Sequence, residues 1–395
     1  MDFEYTEEQR LLQESIGRFL DRNYAFETRR EIIESRIGYS PTAWEGLAGL
    51  GLLGVTIPQE YDGFGGGGVE TMIVMEALGR ALSVEPYLAT AVMAARCIAT
   101  AGTEDQRSYL LPRILDGSMR LACAFGEPGS RHDPAHVETT ARLDGGFWVL
   151  NGTKSVVVHG AVADLLIVSA RTAGEPMDRD GVSLFFVNPA EDGVMGRDYP
   201  TYDGMRAAEI TLEDVHVSSD SLIGVADKGL PLIELTIDRA VCAVCAEAVG
   251  IMDALYRLTL DYLKTRQQFG VPIGRFQALQ HRMVDMFMNC EQARSMALLA
   301  AVKVDDADPV ERRRTVSAAK ELIGRKGRDV AQEAIQLHGG IGMTDELIVG
   351  HYVKRLTAIG MQYGDADHHR ERFVTADQTP VEPILVKPRS RWKKI

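Results

Sequence analysis

A chain of 395 residues is too long for one ordinary core and sets an expectation of two to three domains. Hydrophobic residues make up 45% and charged residues 25%, the balance of a globular protein, and a net charge of −13 argues against a nucleic-acid binder, which needs a basic face. No apolar run reaches bilayer length, the acidic start "MDFEYTEEQR" carries no secretory signal, and five irregularly spaced cysteines fit a reducing compartment, so a cytosolic protein is expected.

Residues 1–118 read as helices joined by short turns. Thr6 and Gln9 of "TEEQRLLQESIGRFL" form a capping box ahead of an i, i+3, i+4 apolar pattern. In "SPTAWEGLAGLG", Ser40 is the N-cap, Pro41 opens the first turn and glycine stops the helix. The glycine run "DGFGGGGVE", 62–70, lacks the Gly-Lys-Ser/Thr of a phosphate loop and reads as a plain loop into "VETMIVMEALGRAL".

Residues 119–225 change texture to short β-rich runs: "RLACAF", "HVETTARL", "GFWVLNG", "DLLIVSAR", "GVSLFFV" and "AAEITLEDVHV". Their spacing, with a hairpin at "LDGGF", predicts a sandwich or barrel rather than a parallel sheet. Long helices return at about 228–265, 275–303, 309–338 and 344–363, lengths that suit a four-helix bundle over 226–375. The basic, proline-interrupted tail, 376–395, reads as a surface-draped terminus, with a partner-binding arm as the alternative.

Within the first long helix, "ELTIDRAVCAVCAEAVG" sets Asp238-Arg239 at the head of an apolar stripe of Cys242, Cys245 and Val249. Three readings compete: a buried structural ion pair, a redox motif with the two cysteines, or a carboxylate kept dry for proton chemistry. The cysteines lie inside a continuous helical pattern, which favours core packing over redox work. Asp365, Asp367, His368 and His369, with His351, lack His-x-x-x-His spacing and read as a solvated helix end, so no metal is expected.

Four stretches in order resemble the acyl-CoA dehydrogenase family: "LGLLGVTIPQEYDGFGGGGVETMIVMEALGRAL", "AFGEPGSRHD" with "LNGTKSVVVHGAVADLLIVSAR", "YLKTRQQFGVPIGRFQALQHR" and "AIQLHGGIGMTDELIVGHYVKR". In detail the chain looks most like the small subunits of bacterial pimeloyl-CoA dehydrogenases. The resemblance implies an N-terminal helical domain, a middle β domain and a C-terminal helical bundle. It also implies FAD, an acyl-CoA substrate and 2,3-dehydrogenation, with a carboxylate taking the α-proton while the β-hydride moves to the flavin. An electron-transferring flavoprotein is the implied acceptor.

In many members the base is the Glu of a C-terminal Tyr-Glu-Gly-Thr; here Tyr363-Gly364-Asp365 stands in its place. A tyrosine, with a reference pKa of about 10, is not a credible base there. A minority of the family carries the base on the helix opening the bundle, just before an arginine. That position is Asp238, followed by Arg239, so Asp238 is the expected base, one methylene shorter than the Glu of those relatives.

The resemblance also implies the cofactor contacts. Arg266 would pair with the FAD pyrophosphate and Phe269 would pack on the adenosine part, while Gln336, Gly339 and Gly340 bring backbone close to the cofactor. These groups reach FAD held mainly by a neighbouring subunit, implying a dimer or tetramer, homomeric or with a second family member. Phe125 and Gly126 belong to the flavin side, Gly126 replacing a threonine; Val156 and Val158 replace a tryptophan and a threonine that flank the flavin. Asp365 falls on the cofactor side, and His132 and Tyr363 on the substrate side. Two functions follow: a catalytic dehydrogenase, with a dicarboxylyl-CoA such as pimeloyl-CoA as a candidate substrate, or a non-catalytic subunit completing its partner's FAD site.

Overall fold

The computed structural model describes residues 5–387; the end of the expected basic tail, 388–395, lies outside the described residues. Helix α1 (Glu7–Asn23) opens on the expected capping box: the Thr6 hydroxyl accepts from the Gln9 amide at 3.2 Å and Gln9 Oε1 accepts from the Thr6 amide at 3.0 Å. After α2 (Phe26–Glu34), α3 (Pro41–Gly49) begins with Ser40 as its cap and Pro41 in its first turn. The glycine run leads into α4 (Gly68–Arg80), where a Cβ on Gly68 would overlap the Ala301 carbonyl. Close packing demands that glycine. A π-helical segment, Leu88–Ala94, runs into α5 (Ala95–Ala101), and α6 (Glu104–Leu115) follows behind a second capping box at Thr103.

The β segment comprises β1 (Leu121–Ala124), β2 (Thr140–Asp144), β3 (Phe147–Val158), β4 (Leu165–Arg171), β5 (Val182–Val187), β6 (Val194–Pro200), β7 (Arg206–Ser218) and β8 (Leu222–Ile223). They form one sheet in the order β6-β7-β3-β2-β4-β5-β8, with β1 beside β4. Most pairs are antiparallel, but β1 and β2 both run parallel to β4, so the sheet is mixed where the strand spacing predicts none. β4 and β5 are buried along their whole length, which is why they read as unbroken apolar runs.

Two local departures from the sequence reading have physical causes. β6 is an exposed edge strand carrying Gly196, Arg197, Asp198 and Pro200, residues that blunt an edge and erase the apolar alternation. "HVETTARL" becomes strand only at Thr140, because the buried Arg171 guanidinium holds the preceding loop. It donates to the carbonyls of Ala135 at 2.7 Å, Pro176 at 2.8 Å and Asp180 at 2.7 Å.

Helix α7 (Leu230–Thr265) is followed by the hairpin β9 (Gln267–Gln268) and β10 (Val271–Pro272). Then come α8 (Gln277–Lys303), α9 (Pro309–His338), α10 (Ile348–Met361) and α11 (Ala366–Val374). The chain divides into two compact units that interleave in sequence. One holds the residues up to Glu31, Gly67–Ser83 and Val241–Thr379; the other holds Ile32–Gly66, Val84–Ala240 and the residues from Pro380. In the second unit, one apolar cluster joins α5, α6, β1, β4, β5 and the first turns of α7, and Ile384 of the tail packs against it. Among the described residues, no helix is long and apolar enough to cross a membrane.

In the first unit, α4 and α7 cross through paired glycines: a Cβ on Gly79 would strike the Glu247 carbonyl and one on Gly250 the Glu76 carbonyl. Beside this crossing, Arg355 grips Glu247 at 2.5 and 2.7 Å, a buried two-pronged ion pair. Gly250→Ala therefore forces two backbones apart and should destabilise the protein by about 1–3 kcal/mol, read as a lower urea midpoint at unchanged slope.

Candidate functional site

Asp238 sits on the third turn of α7 and is 1% exposed. Leu232 and Ile233, a turn or more before it, belong to the apolar cluster of the second unit, and Ile237 packs against that cluster, as does Phe125 beyond β1. The fold thus anchors the Asp238 turn and the Phe125 loop on one core. Arg239 is half-buried, and its Nη1 donates to Thr100 Oγ1 at 3.0 Å; Thr100 in turn donates to the Arg96 carbonyl at 2.6 Å. This relay ties α7 to α5. Burial pushes the neighbouring Cys97 thiol up to about 12, against the opposing pull of Thr236 and Arg239, so it remains an inert thiol. Cys242 and Cys245 are buried inside α7, and burial also drives Cys245 up to about 12, which removes the redox reading.

The expected flavin-side residues lie on two adjoining segments of the same unit. Phe125 is half-buried and Gly126 exposed, and the Gly126 carbonyl accepts from the Ser155 amide at 2.9 Å. β3 bulges between Lys154 and Val157, where it carries one residue more than β7. Val156 occupies that bulge with φ of 53° and is 59% exposed. A β-branched side chain at positive φ is a genuine outlier, of the sort that collects at functional sites. Val158 is half-buried, and the Val156 amide lies against the Tyr199 hydroxyl of β6. His132 is half-buried in the loop after Arg131.

Beneath this surface is a pair that sequence reasoning missed. Lys154, 0% exposed, and Glu127, 5% exposed, meet at 2.5 Å, and Lys154 also donates to Ser169 Oγ on β4 at 2.9 Å. The Glu127 carboxylate further accepts from the amides of Glu138 at 2.7 Å and Thr139 at 3.1 Å. Burial pulls Lys154 down to about 8, opposed by Glu127. Burial works to raise Glu127, but Lys154 and its hydrogen bonds hold it below the usual carboxylate range. The sequence signal of the pair was two charged residues standing inside otherwise β-rich and turn-rich motifs.

The first unit carries the residues expected at the dinucleotide end. α7 stops at Thr265, and Arg266 is exposed, its carbonyl accepting from Ile273 at 2.8 Å across the hairpin base. The hairpin turns on Phe269 and Gly270, at φ 55° and 77°, which holds the Phe269 ring 90% exposed and edge-on to Phe276 at 6.0 Å. Gln336 is exposed on the last turn of α9, and Gly339, at φ 67°, closes the helix through the Gln336 and Ile335 carbonyls. A Cβ on Gly339 or Gly340 would meet nothing within 4 Å. Each of these residues is open to solvent, and a cation, an aromatic face and uncovered backbone are the chemical types that a dinucleotide's pyrophosphate and adenosine require.

Tyr363 lies in the same unit, between α10 and α11, at φ 57°. Its carbonyl accepts from His369 Nε2 at 3.0 Å, and the buried Lys320 ammonium donates to the Gly364 carbonyl at 2.8 Å. Asp365 is the N-cap of α11, accepting from the His368 amide at 2.9 Å. The solvated helix end expected here holds for exposed Asp365 and Asp367 but not for buried His369, while His351 packs separately on Phe26 at 4.9 Å. Among the described residues, no three of His, Cys, Asp and Glu gather to hold a metal ion.

Helices, a mixed sheet and long helices follow one another here in the order that the family resemblance implies. Three domain models of the acyl-CoA dehydrogenase family match: N-terminal at 6–118, middle at 122–215 and C-terminal at 227–374. A probable acyl-CoA dehydrogenase, YngJ, of Bacillus subtilis is 30% identical over 96% of this chain and 99% of its own. A variant of the Tcur3481-Tcur3483 steroid ACAD matches with a TM-score of 0.84 and 31% identity over 94% of this chain and 98% of that one. The ChsE4-ChsE5 complex from Mycobacterium tuberculosis gives a TM-score of 0.87 and 25% identity over 96% of this chain and 100% of that one. The chain belongs to the acyl-CoA dehydrogenase family, oxidoreductases that use FAD.

The Tyr363 segment gives a pH prediction. Burial first, then Lys320 and Arg372, pull His369 down to about 2. Below pH ~6.5 the unfolded chain takes up a proton that the folded chain refuses, so stability falls as pH falls. This histidine should contribute a loss of about 2 kcal/mol between pH 7 and pH 5. Urea midpoints at the two pH values should differ less in His369→Gln than in the parent.

Proposed function

We propose that this chain is a catalytic FAD-dependent acyl-CoA dehydrogenase in which Asp238 removes the α-proton of an acyl-CoA thioester. The observation that carries this reading is a carboxylate 1% exposed on an apolar core shared with Phe125, while a tyrosine occupies the more usual position of the base. Helix α7 holds Asp238 on a rigid element, and Arg239, bonded to Thr100, pins the turn that carries it. Burial keeps water from competing for the carboxylate. Bound FAD supplies the acceptor for the hydride leaving the β-carbon. Phe125, Gly126, Val156 and Val158 would face the flavin ring, with the main chain of the bulge doing what side-chain donors do elsewhere; His132 would line the substrate side.

Arg266, Phe269, Gln336, Gly339 and Gly340 would hold the pyrophosphate and adenosine of a neighbouring subunit's FAD, which makes the working form a dimer or tetramer. Their exposure and open surroundings support this. The motif resemblance puts a dicarboxylyl thioester such as pimeloyl-CoA first among substrates, and a neighbour described as a steroid ACAD makes a steroid side-chain thioester its competitor. An electron-transferring flavoprotein is the acceptor in this reading.

A second reading has its own support. Gly126, Val156 and Val158 offer no side-chain hydrogen bond to a flavin, and Tyr363 is no base. On that basis the chain would be a companion subunit that completes its partner's FAD site. The visible spectrum separates the two. A yellow chain that bleaches anaerobically with an acyl-CoA supports catalysis, whereas a colourless chain that turns yellow only with a second family member supports the companion role. In the first case Asp238→Asn should keep FAD but lose bleaching by about 10²–10⁴-fold, with Tyr363→Phe changing it less than about tenfold. Near-normal bleaching by Asp238→Asn removes Asp238 as the base.

A further inference from the structure

We propose that the buried Lys154–Glu127 pair is a positioning device for the flavin ring, holding the Phe125–Gly126 segment and the Ser155–Val158 bulge in fixed register. The proposal rests on the family's use of FAD and concerns residues that never need to touch it.

The geometry points there from several sides. Glu127 directly follows Gly126, and Lys154 stands two residues before Val156, so each charge lies within two residues of a surface expected to face the ring. The same two segments are joined by the Ser155 amide donating to the Gly126 carbonyl at 2.9 Å. The pair also reaches sideways, through Ser169 into β4 and through the Glu138 and Thr139 amides into the start of β2, so four backbone segments converge on one carboxylate and one ammonium. Stability alone does not call for such a pair, because a well-packed apolar pair at a buried site is often as good or better. Directional bonds to four segments supply orientation, which apolar contacts do not.

The bulge has particular need of it. Val156 is held at φ 53°, a conformation that persists only where its surroundings over-determine it. Below it sits the Lys154 anchor, and beside it the Tyr199 hydroxyl, itself fixed by donating to Glu209 at 3.0 Å. With valines and a glycine at the surface, the ring would depend on main-chain groups, whose direction changes with every small rotation of the backbone. Lys154 and Glu127 set that rotation.

The test uses the full-length protein and the paired apolar variant K154M/E127L. Changing one partner alone strands a buried charge and risks the fold, which the pair avoids. Amide hydrogen exchange without FAD is the first readout: the Ser155 amide should exchange at least about tenfold faster in the variant while global unfolding stays cooperative. The second readout, after loading FAD, is the flavin's visible band shape and reduction potential. Both should move toward those of free FAD, while FAD affinity, set mainly at the dinucleotide end, changes less than about tenfold. Unchanged Ser155 exchange overturns the proposal, and so does faster exchange with a wild-type band shape and potential, which would make the pair structural only. A parent chain that stays colourless, alone and with a second family member, sinks the FAD reading itself, and this is seen before any variant is compared.

Discussion

A carboxylate removed from water is the constraint to which the region around α7 answers. Burying an ionisable group costs several kcal/mol unless the surroundings compensate it, so a helix does not carry one into an apolar core at no cost. The turn that carries Asp238 is fixed by polar bonds of its neighbour as well as by packing. Arg239 reaches Thr100, and Thr100 reaches the carbonyl of Arg96, so the turn is sewn to α5 by hydrogen bonds while Leu232, Ile233 and Ile237 supply apolar packing. The same neighbourhood keeps Cys97 protonated and unreactive. A buried thiol held protonated in this way does not suit thiol redox chemistry.

The surface expected to meet the flavin is organised on a different principle. Where polar side chains could fasten a ring directly, this chain has Gly126, Val156 and Val158, and the ordering has moved one layer down. Lys154 and Glu127 lie buried there, and the bulge that holds Val156 at positive φ begins directly after Lys154. The arrangement places charge where it is shielded from salt and water, and therefore strong, and leaves an apolar face outward.

Much of the architecture was legible because it follows from periodicity and punctuation. The bounds of α9 read from the 3.6-residue pattern coincide with those observed, and the caps at Thr6 and Ser40 are local chemistry that needs no tertiary context. What escaped is what tertiary context decides. β6 hides because an edge strand sheds the apolar alternation that marks a strand. The parallel pairing of β4 with β1 and β2 depends on which strands meet, and no residue of β4 announces it. His369 reads as solvated because a polar run at a helix start usually is, whereas here its imidazole turns back onto the Tyr363 carbonyl. Asp238 could be picked out as a candidate base, but its burial could only be seen in three dimensions. Lys154 and Glu127 stand 27 residues apart, and no short-range rule pairs them.

The catalytic and companion readings place opposite demands on the same turn of α7. In the companion reading the buried carboxylate at 238 has a structural role, as one member of an ion pair or a hydrogen-bonded turn; in the catalytic reading the same burial serves proton transfer. The side chains at 126, 156 and 158 leave only backbone groups to orient a ring on that face. The Tyr363 segment is tied down by Lys320 and by the His369 bond to the Tyr363 carbonyl, and it has become a structural corner. The proposed chemistry at Asp238 draws on that second use of burial. The shorter reach of aspartate is then the feature that the helix start and the Phe125 loop must jointly accommodate, because a displacement of about 1 Å at a reacting centre can cost a hundredfold in rate.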